Sequence, residues 1–234
     1  GYEVNVNILN RMAAYLALKV KEHPTEILYY YDAKRVEQKR SIPSKDIFYS
    51  LYLLAMYSKA DLATMNFYKP QLAQLAIDSK YLLGASYLAC GDRKSYSEIL
   101  PRAFDGEQAL KSTGGNFYSF VRDQSLALNA LLETDPSNPQ IGQMVRSLSL
   151  QMRSDRYLST QERAFAFLAL GKFMKQTANT QITATVTAGG KTLGTFKKED
   201  ITITKGMENS QIQVSTTGTG KLYYFWEVKS EERR

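Results

Sequence analysis

Residues Tyr157–Leu170, YLSTQERAFAFLAL, decide how this chain reads. Ser159 and Glu162 stand at the S-x-x-E spacing of a capping box. The serine hydroxyl takes the backbone N–H three residues on, and the glutamate reaches back to the serine N–H. A helix therefore starts here. Ala164, Phe165, Leu168 and Ala169 follow at helical spacing, with Phe167 and Leu170 beside them. That pattern predicts a helix buried over most of its surface, with Leu168 in the core. Everything before this stretch reads as helix; everything after about Thr177 reads as strand.

Upstream, Val4, Ile8, Leu9, Met12, Tyr15 and Leu16 recur at three- and four-residue steps and predict a helix from Asn5 to Glu22, ended by His23-Pro24. Glu26–Arg40, with the run Tyr29-Tyr30-Tyr31 and then charges, is ambiguous; a short helix with an exposed tail is the one reading it offers. Pro43-Ser44 opens the next helix, with Asp46 in its first turn. Asp61 caps a short helix to Tyr68. A longer helix runs from Gln71 to Ala89 with a break near Ser79, closed by Gly91 as a left-handed cap. Lys94–Ala103 forms another short helix. Asp105–Tyr118, with Gly106, Gly114 and Gly115, reads as loop. Ser119–Glu133 and a helix opened by Asn138-Pro139 lead to the Ser159 helix. Between about six and eight helices with short loops fit a helical repeat or an α/α toroid better than a four-helix bundle.

Past Lys175 the period changes to two. Ile182, Ala184 and Val186, then Leu193 and Phe196, Ile201 and Ile203, Ile212 and Val214, and Leu222–Val228 alternate between glycine turns. They predict about five short antiparallel strands in a sandwich-like unit. The fold class expected is therefore α+β, with domains at 1–175 and 177–230. So short a β segment is near the lower limit for a core of its own, so the sheet is expected to lean on other structure.

The chain has 234 residues, a net charge of +7 and 44% hydrophobic residues, enough for a substantial core. Lys and Arg are interleaved with acids; the densest run, Lys34–Arg40, contains Glu37. A nucleic-acid interface needs a clustered basic patch, so no nucleic-acid partner is expected. One cysteine, Cys90, allows no internal disulfide. No apolar run reaches the ~20 residues of a membrane span. The chain begins at Gly1, without an initiating methionine or signal peptide, and reads as an excised or processed fragment.

Candidate chemistry is sparse. His23 reads as an exposed or capping residue, Cys90 as a small buried residue at a helix end. One histidine and one cysteine make no zinc site. Asp123, Glu133, Asp155, Glu162 and Glu199 are scattered; paired carboxylates on a toroid are the pattern of a glycan-active enzyme. Gly114-Gly115-Asn116 lacks the lysine and preceding strand of a phosphate loop. No catalytic, cofactor-binding or metal-binding residue is assigned. Ser159, Thr160, Gln161 and Glu162 are assigned as a structural motif.

Ser159-Thr160-Gln161-Glu162, after an aromatic and before an Ala/Leu-rich helix, resembles the last helix of the thioester-bearing helical domain of the bacterial alpha-2-macroglobulin family. Other segments resemble it in family order: Gly1-Tyr2-Glu3-Val4 with Leu9 and Tyr15-Leu16; Ala60-Asp61-Leu62 with Asn66-Phe67; Leu83–Asp92, LGASYLACGD; Arg122–Leu128, RDQSLAL, with Leu131-Leu132; and Gly220–Tyr224, GKLYY. The resemblance implies that residues 1–175 are the later part of an α/α toroid and 177–230 the strands of a CUB-type domain. It implies a parent protein in the periplasm or cell envelope that traps peptidases after bait cleavage. The chain's partners would then be the parent's other domains and, through the parent, target peptidases. The family's thioester forms in Cys-x-Glu-Gln. Here Cys90 is followed by Gly-Asp-Arg, so no thioester role carries over and this segment is expected to be a non-catalytic scaffold. The alternatives are an α/α-toroid glycan-active enzyme, such as a polysaccharide lyase, and a helical-repeat interaction module.

Overall fold

The structure, a computed structural model, describes residues 4–32, 34–105, 109–112, 119–154, 157–177, 181–197 and 199–220, with 222, 224 and 226. Eight α-helices and two three-stranded antiparallel sheets lie among them, so the fold is α+β. Close packing divides the chain into two units, Gly1–Lys172 and Phe173–Arg234. Gly1-Tyr2-Glu3, Gly106, Gly114, Gly115, Asn116, Asp155, Lys221 and Tyr223, singled out above, lie outside the described residues.

Helix α1 spans Val6–Lys19, capped by the Asn5 side chain, which accepts the N–H groups of Asn7 and Ile8. A 3-10 turn, Val20–Glu22, follows. His23 then leaves the helix at φ 47°, ψ 48°, ahead of Pro24. The next segment departs from the expected short helix. Strand β1 (Thr25–Tyr31) and strand β2 (Glu37–Pro43) form an antiparallel hairpin, in register from Thr25 opposite Pro43 to Tyr31 opposite Glu37. Tyrosines and β-branched residues suit the pleat. Asp32 shapes the turn, its Oδ1 accepting the N–H groups of Lys34 and Val36. The charge run is an edge strand, where exposed Lys39 and neighbouring polar residues discourage further pairing.

Helix α2 is Lys45–Met56, α3 Leu62–Tyr68, α4 Ile77–Ala89 and α5 Arg93–Ile99. The break ahead of α4 falls at Leu75-Ala76, after a 3-10 turn over Lys69–Gln74, rather than near Ser79. Strand β3 (Ala109–Ser112) joins the first sheet, giving the order β2-β1-β3. Helix α6 is Phe120–Thr134, α7 Gln140–Met152 and α8 Thr160–Thr177.

Helix α4 packs between α2 and α6, while α1, α5 and α7 pack on α2, α4 and α6 in turn. The core follows that plan: Phe48, Leu51 and Leu54 of α2, Leu82 and Leu83 of α4, Ile99 of α5 and Ala130 of α6 share one buried cluster with Met65 and Tyr68 of α3. Helices α1 and α8 are wetter than their sequences predict. Ile8, Met12 and Tyr15 of α1 are exposed, and α1 seals the core through Ala13. Helix α8 buries Glu162, Ala166 and Ala169 but leaves Phe167 65% and Leu168 49% exposed. The apolar face read from the sequence is wider than the stripe these helices pack.

In the second unit, strands β4 (Gln181–Ala188), β5 (Lys191–Phe196) and β6 (Ile212–Thr219) pair in the order β5-β4-β6. Three of the expected strands form. Ile201 and Ile203 lie in irregular chain, and the described residues Leu222, Tyr224 and Trp226 are in no strand. Gly218, expected in a turn, sits inside β6 opposite Ile182.

Candidate functional site

The residues that sequence reasoning assigned as a structural motif start a connected buried polar cluster. The capping box forms as its spacing requires: the Ser159 N–H donates to Glu162 Oε2 at 2.7 Å, and the Glu162 N–H donates to Ser159 Oγ at 3.2 Å. Thr160 and Gln161 open α8. The other oxygen of Glu162, Oε1, accepts the Ser119 hydroxyl at 2.6 Å. Ser119 is itself the N-cap of α6, its Oγ accepting the Arg122 N–H at 3.1 Å. One hydroxyl thus serves two helix starts.

The chain of contacts continues inward. Arg122 Nη1 donates to Gln161 Oε1 at 3.3 Å, and its Nε donates to Asp123 Oδ1 at 2.9 Å. Asp123 Oδ2 accepts Lys45 Nζ at 2.6 Å. Lys45 Nζ also lies 3.0 Å from Asp78 Oδ1, an ion contact outside hydrogen-bonding geometry. Lys45 opens α2, Asp78 is in the first turn of α4, Asp123 in that of α6 and Glu162 in that of α8. Four helix starts therefore meet at one polar cluster. Helices α2, α4 and α6, which pack in that order with their starts together, run parallel. The positive ends of the helix dipoles face this cluster and favour its carboxylates.

Glu26 of β1 completes it. Ser44 makes no side-chain cap to α2; its hydroxyl instead donates to Glu26 Oε2 at 3.3 Å. Glu26, Lys45, Asp78, Arg122, Asp123 and Glu162 are all buried. Burial pushes the Glu26 carboxyl up, against the pull of Lys45. Burial alone would lower the Lys45 ammonium, but Asp78 and Asp123 outweigh it and hold it above the ordinary lysine range. Burial and the neighbouring Asp78 charge push Asp123 up to about 6, against Lys45 and Arg122.

Of the scattered carboxylates, Asp123 and Glu162 come together in this cluster. Glu133 pairs with Lys172 of α8, and Glu199 lies in the second unit beside a cavity lined also by Lys197, Asp200 and Ile201. His23 is exposed, its Nδ1 2.8 Å from the Tyr68 hydroxyl and its ring 4.5 Å from that of Phe67. Cys90 is exposed, contrary to the expected burial, because the last turn of α4 runs past the core. Among the described residues no group of three or more His, Cys, Asp or Glu is placed to hold a metal ion. Sequence reading missed Lys45, Asp78, Ser119 and Glu26. For Lys45 and Asp78 the available signal was a charged residue in the first turn of an otherwise apolar helix, and for Ser119 a capping residue ahead of one; Glu26, on β1, carried none.

No family model matches the sequence, and no curated protein sequence matches it. Solved structures do. Escherichia coli alpha-2-macroglobulin activated by porcine elastase superimposes with a TM-score of 0.59 at 21% identity, over 93% of this chain and 18% of that one. Salmonella alpha-2-macroglobulin reacted with methylamine gives 0.55 at 19%, over 93% and 13%. The native Escherichia coli protein from domain MG7 to the C-terminus gives 0.55 at 21%, over 93% and 31%. This chain has the fold of a bacterial alpha-2-macroglobulin segment. The segment lies between domain MG7 and the C-terminus of the Escherichia coli protein, and the chain spans less than a third of each of these macroglobulins. No helix among the described residues is long and apolar enough to cross a membrane.

Proposed function

We propose that the chain is a non-catalytic scaffold segment of a bacterial alpha-2-macroglobulin-like protein that traps peptidases in the periplasm or cell envelope. Residues 1–175 would be part of its α/α toroid and 177–230 strands of its CUB-type domain. The observation that carries this reading is the fold match, which runs through helices and strands alike over 93% of the chain. The parallel run of α2, α4 and α6 agrees with a toroid. The exposed apolar residues of α1 and α8 agree with further protein covering both helices. The partners are then other domains of the parent and, through them, target peptidases. The acidic residues brought together here are locked to Lys45, Arg122 and Ser119 inside the protein, which speaks against a glycan-cleaving pair.

The test uses the parent protein that contains this chain, incubated with trypsin or elastase. A trapped peptidase keeps its activity on a small chromogenic peptide and loses it on a large protein substrate. That split is the expected result. Equal activity on both substrates, across several broad-specificity peptidases, would overturn the proposal.

A further inference from the structure

Strand β4 outruns one of its two neighbours. Strand β6 pairs with it along its whole length, from Ala188 opposite Ile212 to Gln181 opposite Thr219. The ladder to β5 stops at Ala184 opposite Phe196, and the chain then leaves the sheet through irregular residues. Gln181, Ile182 and Thr183 therefore have a strand on one side only among the described residues. A cavity of about 740 Å³ lies along them, walled by Lys197, Glu199 and Asp200. The backbone at this edge is open. The Gln181 carbonyl faces β6, since a Cβ on Gly218 would clash with its oxygen. Successive residues of a strand turn their N–H and C=O groups to opposite edges, so Ile182 turns its own pair toward the cavity. Among the described residues no hydrogen bond meets that pair. Ile182 is only 7% exposed, and a backbone donor and acceptor left unmet at a buried residue are costly.

We propose that this notch is a strand-addition site for an extended segment of a partner protein that carries one lysine or arginine. The segment continues the line of β5 along β4. Its main chain meets the Ile182 N–H and C=O, and its cation reaches Glu199 and Asp200. Both carboxylates are exposed, and among the described residues neither is in an ion pair or a hydrogen bond. Main-chain bonds give such a site its affinity, and side-chain contacts give it its preference. Lys197, on the same wall and equally unpaired, repels a polybasic segment, so a single cation among β-branched residues is the pattern that fits. Three residues of open edge span about 10 Å, enough to seat a short peptide. The site belongs to the β unit alone and stands or falls apart from the proposed family role.

The experiment is a titration of the full chain, followed by nitrogen-15 NMR, with a capped pentapeptide of valine and threonine around one central lysine. The Ile182 amide is expected to shift saturably, with a Kd near or below about 1 mM, and to exchange more slowly with solvent. The same peptide with N-methylated peptide nitrogens should lose the shift, and one with glutamate in place of lysine should bind about tenfold more weakly. Glu199→Gln with Asp200→Asn should weaken the lysine peptide about fivefold and remove its advantage over the glutamate peptide. No saturable shift at Ile182, equal binding of the N-methylated peptide, or shifts confined to the outer edge of β6 overturns the proposal. So does an Ile182 amide already protected from exchange in the longer parent protein without peptide, because the parent's own chain then fills the notch.

Discussion

The helical unit and the β unit are held together differently. In Gly1–Lys172, Phe48, Leu51, Leu83, Leu128 and Leu131 are completely buried, and the ends of the helices are tied by charge and hydrogen bonds. Among the described residues of Phe173–Arg234, the buried side chains are Ile182, Ala184 and Ala188, all from the central strand β4. Strands β5 and β6 flank it with their outer edges unpaired among the described residues. The helical unit has an interior, whereas the β unit has one good face. The lesson is that mutations in the first unit should act on global stability and mutations in the second on strand pairing.

The largest effect expected is at Lys45. Lys45→Ala leaves Asp78 and Asp123 facing each other without their shared cation, and breaking a buried pair in this way costs about 3–5 kcal/mol. Thermal unfolding would show it as a large fall in Tm. Lys45→Met with Asp123→Asn, which removes charge from both sides, should recover part of that loss. If Lys45→Ala unfolds like the wild type, the cluster does not hold the helix starts.

Leu82→Ala comes next. The side chain is 1% exposed, so the deletion leaves a cavity in the core of the helical unit and should cost about 2–5 kcal/mol in denaturant unfolding. Gly218→Ala probes the other unit. Gly218 has φ +96°, and a Cβ there would lie 2.0 Å from the Gln181 carbonyl oxygen. A strained backbone of that kind costs on the order of 1–3 kcal/mol. Amide exchange in β4 and β6 should speed up while exchange in α2, α4 and α6 is unchanged. Faster exchange throughout both units would show that they unfold as one and would break the comparison.

The sequence told more about the helices than about their neighbours. The cap at Asp61, the capping box at Ser159 and Glu162 and the left-handed Gly91 are local devices, and each is where its spacing puts it. The hairpin at Thr25–Pro43 was hidden because three tyrosines and a charge run carry no clean alternation, and its partner β3 comes from distant sequence. The cluster was half visible. Glu162 and Ser159 lie three residues apart, but Lys45, Asp78 and Asp123 meet only through packing of helices far apart in sequence. Period alone finds an apolar face. It does not say how much of that face a neighbour covers, and that is why α1 and α8 proved wetter than expected.

The smallest effect is the most informative about α8. Leu168 stands at helical spacing with Phe165 and Ala169, and its sequence position reads as core. The structure leaves it 49% exposed, while Ala169, the next residue, is fully buried. Leu168→Asp in this chain should therefore change stability by no more than about 0.5 kcal/mol, as surface substitutions do. Ala169→Asp places a carboxylate against the helices behind it and should cost several times as much. The two substitutions add the same charge one residue apart on one helix, so propensity and net charge nearly cancel between them. What remains is burial. If the same pair is then made in the longer parent protein, Leu168→Asp should become costly there, because the proposed covering protein would bury that face. An equally small cost in both contexts would mean that the apolar side of α8 faces water in the parent as well.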